Sequence, residues 1–108
     1  MDFAIKKIFD GDCWRVDLSG EVDIFNSGEL KNTLTQLMEE QPADLCLDCK
    51  NLEYIDSTGL GALVGVLKHI KSHDKEVRLV SVKPNILKLL AITNLDKVFI
   101  IEESAKDE

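Results

Sequence analysis

The chain has 108 residues, with 13 Lys and Arg against 20 Asp and Glu and a formal net charge of −7. Such a length suits one domain with a single core, and the acidic balance argues against nucleic acid or an anionic membrane surface as the main partner. No stretch approaches the roughly 18 apolar residues of a membrane span, and Met1-Asp2-Phe3-Ala4-Ile5-Lys6-Lys7 lacks the apolar centre of a signal peptide, so a cytoplasmic protein is expected.

Residues 3–9 predict a strand, and Asp10-Gly11-Asp12 a turn into a second strand at 13–18, where Trp14, Val16 and Leu18 alternate with Arg15, Asp17 and Ser19. Ser19-Gly20-Glu21-Val22-Asp23 is expected to leave that strand as a tight acidic loop. Asn26 or Ser27 then caps a helix to about Glu40, with Leu30, Leu34, Leu37 and Met38 on its inner face, and Gln41-Pro42-Ala43 ends it. A third strand covers about 44–49. After it the chain reaches Asp56-Ser57-Thr58, cap-type residues at the start of a second helix with apolar positions at 60, 63, 64, 67 and 70, running to about Ser72. His73-Asp74-Lys75-Glu76 turns into a fourth strand at 77–82. Pro84 opens a third helix at 84–93, ended by Asn94, and a last strand at 98–101 closes a single domain over 1–101, with 102–108 as a polar tail.

The predicted order is β-β-α-β-α-β-α-β, an α/β fold with a mixed, mostly parallel sheet. Alternation in the second and third strands places the helices mainly on one face, because a sheet covered on both sides would show unbroken apolar runs. Strands laid down in sequence, the first antiparallel at an edge, bring the loops after strands two and three together at the carboxyl end of the sheet. Glu21-Val22-Asp23 and Asp56-Ser57-Thr58 are therefore expected to be neighbours.

Several residues invite a chemical interpretation. A hydroxyl pair at a helix N-terminus faces unpaired N–H groups and the positive end of the dipole, so a phosphate on Ser57 or Thr58 would be tolerated locally. Gly59, Gly61 and Gly65 crowd the front of the same helix, where each glycine costs about 1 kcal/mol relative to alanine. Gly61 and Gly65 share a face and leave a low strip for a strand of the chain itself or for a partner. Cys46 and Cys49 form a C-x-x-C, but within a strand they point to opposite faces, and with Cys13 they make an odd number, so a structural role is expected. His69 and His73 stand at a metal-gripping spacing with no third ligand evident nearby, and no metal or cofactor is expected. His69 lies about 18 Å along the helix from Ser57, too far to serve it as a base, so the chain is expected to be no enzyme.

Gly20-Glu21-Val22-Asp23, Ile55-Asp56-Ser57-Thr58-Gly59-Leu60-Gly61 and the element order together resemble the STAS domain, and more narrowly the stand-alone bacterial anti-sigma factor antagonists. The resemblance covers nearly the whole chain, with no departure in either motif. It implies a protein that binds, when unphosphorylated, an anti-sigma factor with serine kinase activity and so releases a sigma factor. Phosphorylation of the serine after the aspartate ends that binding, and a serine phosphatase resets it. By position that serine is Ser57, and Glu21, Asp23, Asp56, Thr58, Gly59 and Gly61 join it in the partner-binding surface of a monomer or weak dimer. Two alternatives keep the fold and drop the sigma circuit: an interaction subunit of a transport or signalling complex, and a small nucleotide-binding domain.

Overall fold

The computed structural model describes residues 3–103. Strands β1 (Ala4–Phe9) and β2 (Cys13–Val22) pair antiparallel from Ala4 opposite Ser19 to Phe9 opposite Trp14. Gly11 turns between them at φ +100°, a conformation glycine adopts without penalty. The carboxylate of Asp10 accepts the N–H groups of Asp12 and Cys13 in the same turn, which holds that carboxyl below its usual range. Helix α1 (Ser27–Glu40), strand β3 (Asp44–Ile55), helix α2 (Ser57–Lys71), strand β4 (Val77–Val80), helix α3 (Pro84–Ile92), a 3-10 turn at Leu95–Lys97 and strand β5 (Ile100–Glu102) complete the chain. The sheet runs β1-β2-β3-β4-β5, with every pair after the first parallel.

The helices cover one face of this sheet. Trp14, Val16 and Leu18 of β2 and Leu45, Leu47 and Cys49 of β3 are buried in one core with Leu30, Leu34, Leu37 and Met38 of α1 and Leu63, Val66, Leu67 and Ile70 of α2. On the other face Cys13, Cys46 and Asp48 are half-buried, and Arg15, Asp17 and Lys50 are exposed. Trp14 is a core residue whose indole N–H reaches the carbonyl of Gln41 at 2.9 Å, which satisfies its one polar atom at the end of α1. The three cysteines are free thiols, and burial pushes that of Cys49 up to about 12, so it stays protonated and inert at neutral pH.

Four boundaries differ from expectation. Ser19-Gly20-Glu21-Val22 is not a loop but the last part of β2, and Asn51–Ile55 is the last part of β3; the two pair from Ser19 opposite Asn51 to Val22 opposite Ile55. Register shifts fall between Asp17 and Ser19 and between Gly20 and Glu21, and Gly20 accommodates the irregularity at φ +89°. Along β3 the buried positions accordingly pass from every second residue at 45, 47 and 49 to every third at 52 and 55. Strand β4 stops at Val80 because Ser81 turns to φ +58°, its N–H bonding the carbonyl of Glu102. Asn94 at φ +62° ends the third helical segment and starts the 3-10 turn, which delays β5 to residue 100 and takes Glu102 into the strand, opposite Val80. The rest of the expected tail, from residue 104, lies outside the described residues.

Candidate functional site

The bulged ends of β2 and β3 deliver two chain segments to one corner. The Asp56 N–H donates to the carbonyl of Val22 at 3.1 Å, so the first residue after β3 is tied to the last residue of β2. The sequence segments Glu21-Val22-Asp23 and Asp56-Ser57-Thr58 meet there through backbone pairing.

Asp56 is the N-cap of α2. Its Oδ1 accepts the Gly59 N–H at 2.9 Å and the Thr58 hydroxyl at 2.6 Å. The Thr58 hydroxyl first, and the Gly59 N–H second, hold the Asp56 carboxyl below its usual range. These bonds separate the two hydroxyls. Thr58 is engaged by the cap, whereas Ser57, one residue into the helix and exposed, makes no side-chain hydrogen bond among the described residues. Capping, the simplest structural task for Ser57, has been taken by its neighbour.

The three glycines also divide. A Cβ on Gly59 would lie 2.5 Å from Ile55 Cγ1 and 2.7 Å from Val22 Cγ1, so this glycine lets α2 start directly against the strand ends. One on Gly65 would meet the side chain of Lys31, which crosses from α1. Gly61 faces nothing within 4 Å and is exposed. The expected low strip is thus half covered by α1 and half open.

On the other side of the corner, Asp23 closes the turn into α1. Its Oδ1 accepts the Phe25 N–H and its carbonyl accepts the N–H groups of Asn26 and Ser27. Asn26, expected as a capping side chain, makes no cap bond. Its amide instead donates to the carbonyl of Glu21, and its oxygen accepts the Asp23 N–H, both at 2.9 Å, fastening the turn to the end of β2. The half-buried Glu21 and Asp23 therefore add negative charge to a rigid turn.

That turn displays what sequence reasoning missed. Phe25 is 92% exposed and Ile24 67% exposed, and Tyr54, opposite Glu21 in the register, is 46% exposed. Two consecutive large apolar residues between a turn aspartate and a helix start, off the periodicity that begins at Leu30, were the available signal. A groove of about 640 Å³ lies elsewhere, lined by Val64, Leu67, Lys68, Lys71, Leu95, Lys97 and Val98, none of them in the corner. An exposed corner with aromatic residues beside fixed charges is the chemistry of a protein-docking surface.

The histidines lie at the other end of α2, so neither is placed to take a proton from Ser57. A third potential ligand does exist, contrary to expectation: Glu39, in the last turn of α1, brings its carboxylate to them. Helical periodicity assigns residues to faces but does not pair exposed residues on different helices. Among the described residues no helix is long and apolar enough to cross a membrane.

The STAS domain family model matches residues 4–108. The chain is 32% identical, over 108 residues and the full length of both proteins, to an anti-sigma-B factor antagonist of Staphylococcus aureus. An anti-sigma factor antagonist from Mycobacterium paratuberculosis superposes with a TM-score of 0.85 at 20% identity, covering 96% of this chain and 88% of that one. The Bacillus cell fate determinant SpoIIAA, solved in its phosphorylated form, superposes with a TM-score of 0.75 at 14% identity, covering 95% and 93%. At those identities the two structures speak for the fold.

Proposed function

The chain belongs to the STAS domain family and, within it, to the anti-sigma factor antagonists; from that premise we propose that it is a cytoplasmic partner switch turned off by phosphorylation of Ser57. In the unphosphorylated state the corner binds an anti-sigma factor that is also a serine kinase, and the sigma factor held by that protein is released. The protein is the substrate of the kinase and no catalyst itself, and a serine phosphatase restores the binding state.

One observation carries this reading. Ser57 is an exposed hydroxyl without a structural task, set at a helix N-terminus whose cap is supplied by Asp56. A kinase needs an acceptor it can reach and modify without unfolding the substrate. A phosphate there brings about two negative charges, which the positive end of α2 offsets within the chain. The existence of SpoIIAA in a phosphorylated form supports the capacity of this fold to carry the group.

The effect on a docked protein differs. Asp56, Asp23 and Glu21 already concentrate negative charge, so a partner that accepts them has no margin for more. A single like-charge contact at about 5 Å costs about 3 kcal/mol at an effective dielectric near 20, roughly a hundredfold in affinity. Repulsion at the surface suffices to switch binding, with no change of fold. Phe25, Ile24 and Tyr54 supply the apolar anchors that such an interface requires.

Incubation with the cognate kinase and ATP, followed by mass spectrometry, tests the proposal. One phosphate is expected, on Ser57, and the modified protein should lose its affinity for the kinase. Modification at Thr58 alone, or undiminished binding after phosphorylation, would overturn it.

A further inference from the structure

We propose that Glu39, His69 and His73 form a binding site for one divalent transition-metal ion of the zinc class, at the end of the α1–α2 pair remote from Ser57. The three side chains offer one carboxylate oxygen and two imidazole nitrogens, all within 4.8 Å of one another. The histidine rings meet edge to face with centroids 5.0 Å apart.

Zinc binds such atoms at about 2.0–2.2 Å in a tetrahedron, whose edges are therefore about 3.4 Å. Closing the present cluster from within 4.8 Å to that size asks each pair of ligand atoms to approach by about 1.4 Å at most. Glu39 is exposed and enters none of the ion pairs among the described residues. It is free to swing.

A second observation points the same way. His69 Nε2 is sealed from solvent and has no hydrogen-bond partner among the described residues. A buried ring nitrogen with nothing to bond is costly, and an ion coordinated by that nitrogen would satisfy it. The surroundings also favour a cation. His69 is in the last turn of α2 and His73 just beyond its Ser72 cap, where the aligned peptide dipoles give the helix its negative end, with Lys68 and Lys71 on the same turn. Three protein ligands leave the fourth position open to water or to a group from another molecule. Imidazole with carboxylate suits zinc, cobalt, nickel or copper over the hard cations.

The experiment is a titration of the chelator-treated full chain with zinc chloride by calorimetry and with cobalt chloride by visible absorption. One zinc per chain is expected, with a Kd of about 1 µM or tighter, together with the d–d absorption of four- or five-coordinate cobalt and a higher melting temperature in zinc. Glu39→Gln and His73→Gln, at an exposed and a turn position, should each weaken binding by about tenfold or more, since even outer-sphere partners of a metal carry that much. Their melting temperatures without metal should match the parent. The double variant Cys13→Ser, Cys46→Ser controls for thiol binding and should bind zinc as the parent does. Absence of stoichiometric binding, affinity unchanged by Glu39→Gln and His73→Gln, or affinity lost only in the cysteine variant would each overturn the proposal.

Discussion

The two ends of α2 are opposites. At its start, Asp56 caps the helix, Gly59 lets it press on Val22 and Ile55, and an unengaged hydroxyl stands at the positive pole, ready to receive an anion. At its finish, beside Lys68 and Lys71, two imidazoles and a carboxylate gather at the negative pole, the donor set proposed above for a metal ion. About 18 Å of helix separates Ser57 from His69, and the buried stripe between them is core. One rigid element can thus present two surfaces of opposite preference, each tunable without the other. The polarity of the peptide backbone alone predicts which end takes which charge.

Substitutions at Ser57 should separate the ends most clearly. Ser57→Asp is expected to weaken kinase binding by roughly a hundredfold, about 3 kcal/mol by the same contact estimate, while Ser57→Ala binds as the parent does and accepts no phosphate. Equal affinities of the two variants, measured by calorimetry, would break the comparison. Next comes Gly59→Ala, whose methyl must displace Ile55 and Val22 and should cost about 1–3 kcal/mol in denaturant unfolding.

Gly61→Ala tests the open half of the strip. Its methyl meets nothing within 4 Å among the described residues, so it should stabilise the fold by up to about 1 kcal/mol through helix propensity, while weakening kinase binding if a partner lies close there. Opposite signs at two glycines two residues apart follow from the closed surroundings of Gly59 and the open surroundings of Gly61.

Acid should act on the start of the helix. The Asp56 carboxyl is held below its unfolded value by Thr58 and Gly59, so its contribution is complete above the unfolded pKa and is lost as pH falls through the folded one. Asp56→Asn should remove this part of the pH dependence of the melting temperature. The smallest effect is expected at the far end, where Lys71 and Glu76 pair at 2.9 Å with half-exposed side chains. Lys71→Ala should change stability by less than about 1 kcal/mol, and by less still in high salt.

The helices were legible in the sequence because of their periodicity: α1 ends at Glu40, and α2 buries positions 60, 63, 67 and 70 as the spacing requires, although Val64, expected with them, is only half-buried and Val66 is buried instead. The ends of β2 and β3 were not. Their register shifts disrupt the period-two signal on which a strand assignment rests, and Ser19-Gly20-Glu21 has the composition of a turn. Even so, the meeting of the acidic segment with Asp56-Ser57-Thr58 followed from strand order alone, since it depends on topology and not on where the strands stop. That Thr58 is bound by the cap and Ser57 is not required side-chain geometry. Phe25 and Glu39 remained hidden for a related reason: exposure of an apolar residue in a turn, or proximity across two helices, is a tertiary fact that no local pattern encodes.

The overhang of the central strands has a consequence of its own. β4 accompanies β3 only from Leu45 to Asp48 and β1 accompanies β2 only as far as Ser19, so from Gly20 to Val22 and from Leu52 to Ile55 the two continue, among the described residues, as a bulged two-stranded ribbon. Ribbons of this kind twist more than a broad sheet and open at lower free energy. The corner is mounted on a cantilever: its amides from Gly20 to Val22 and from Leu52 to Ile55 should exchange with deuterium sooner than those of the Val16–Leu47 region. Small changes of pitch in that beam would let a single surface seat itself on the two differently shaped proteins proposed above, the kinase and the phosphatase.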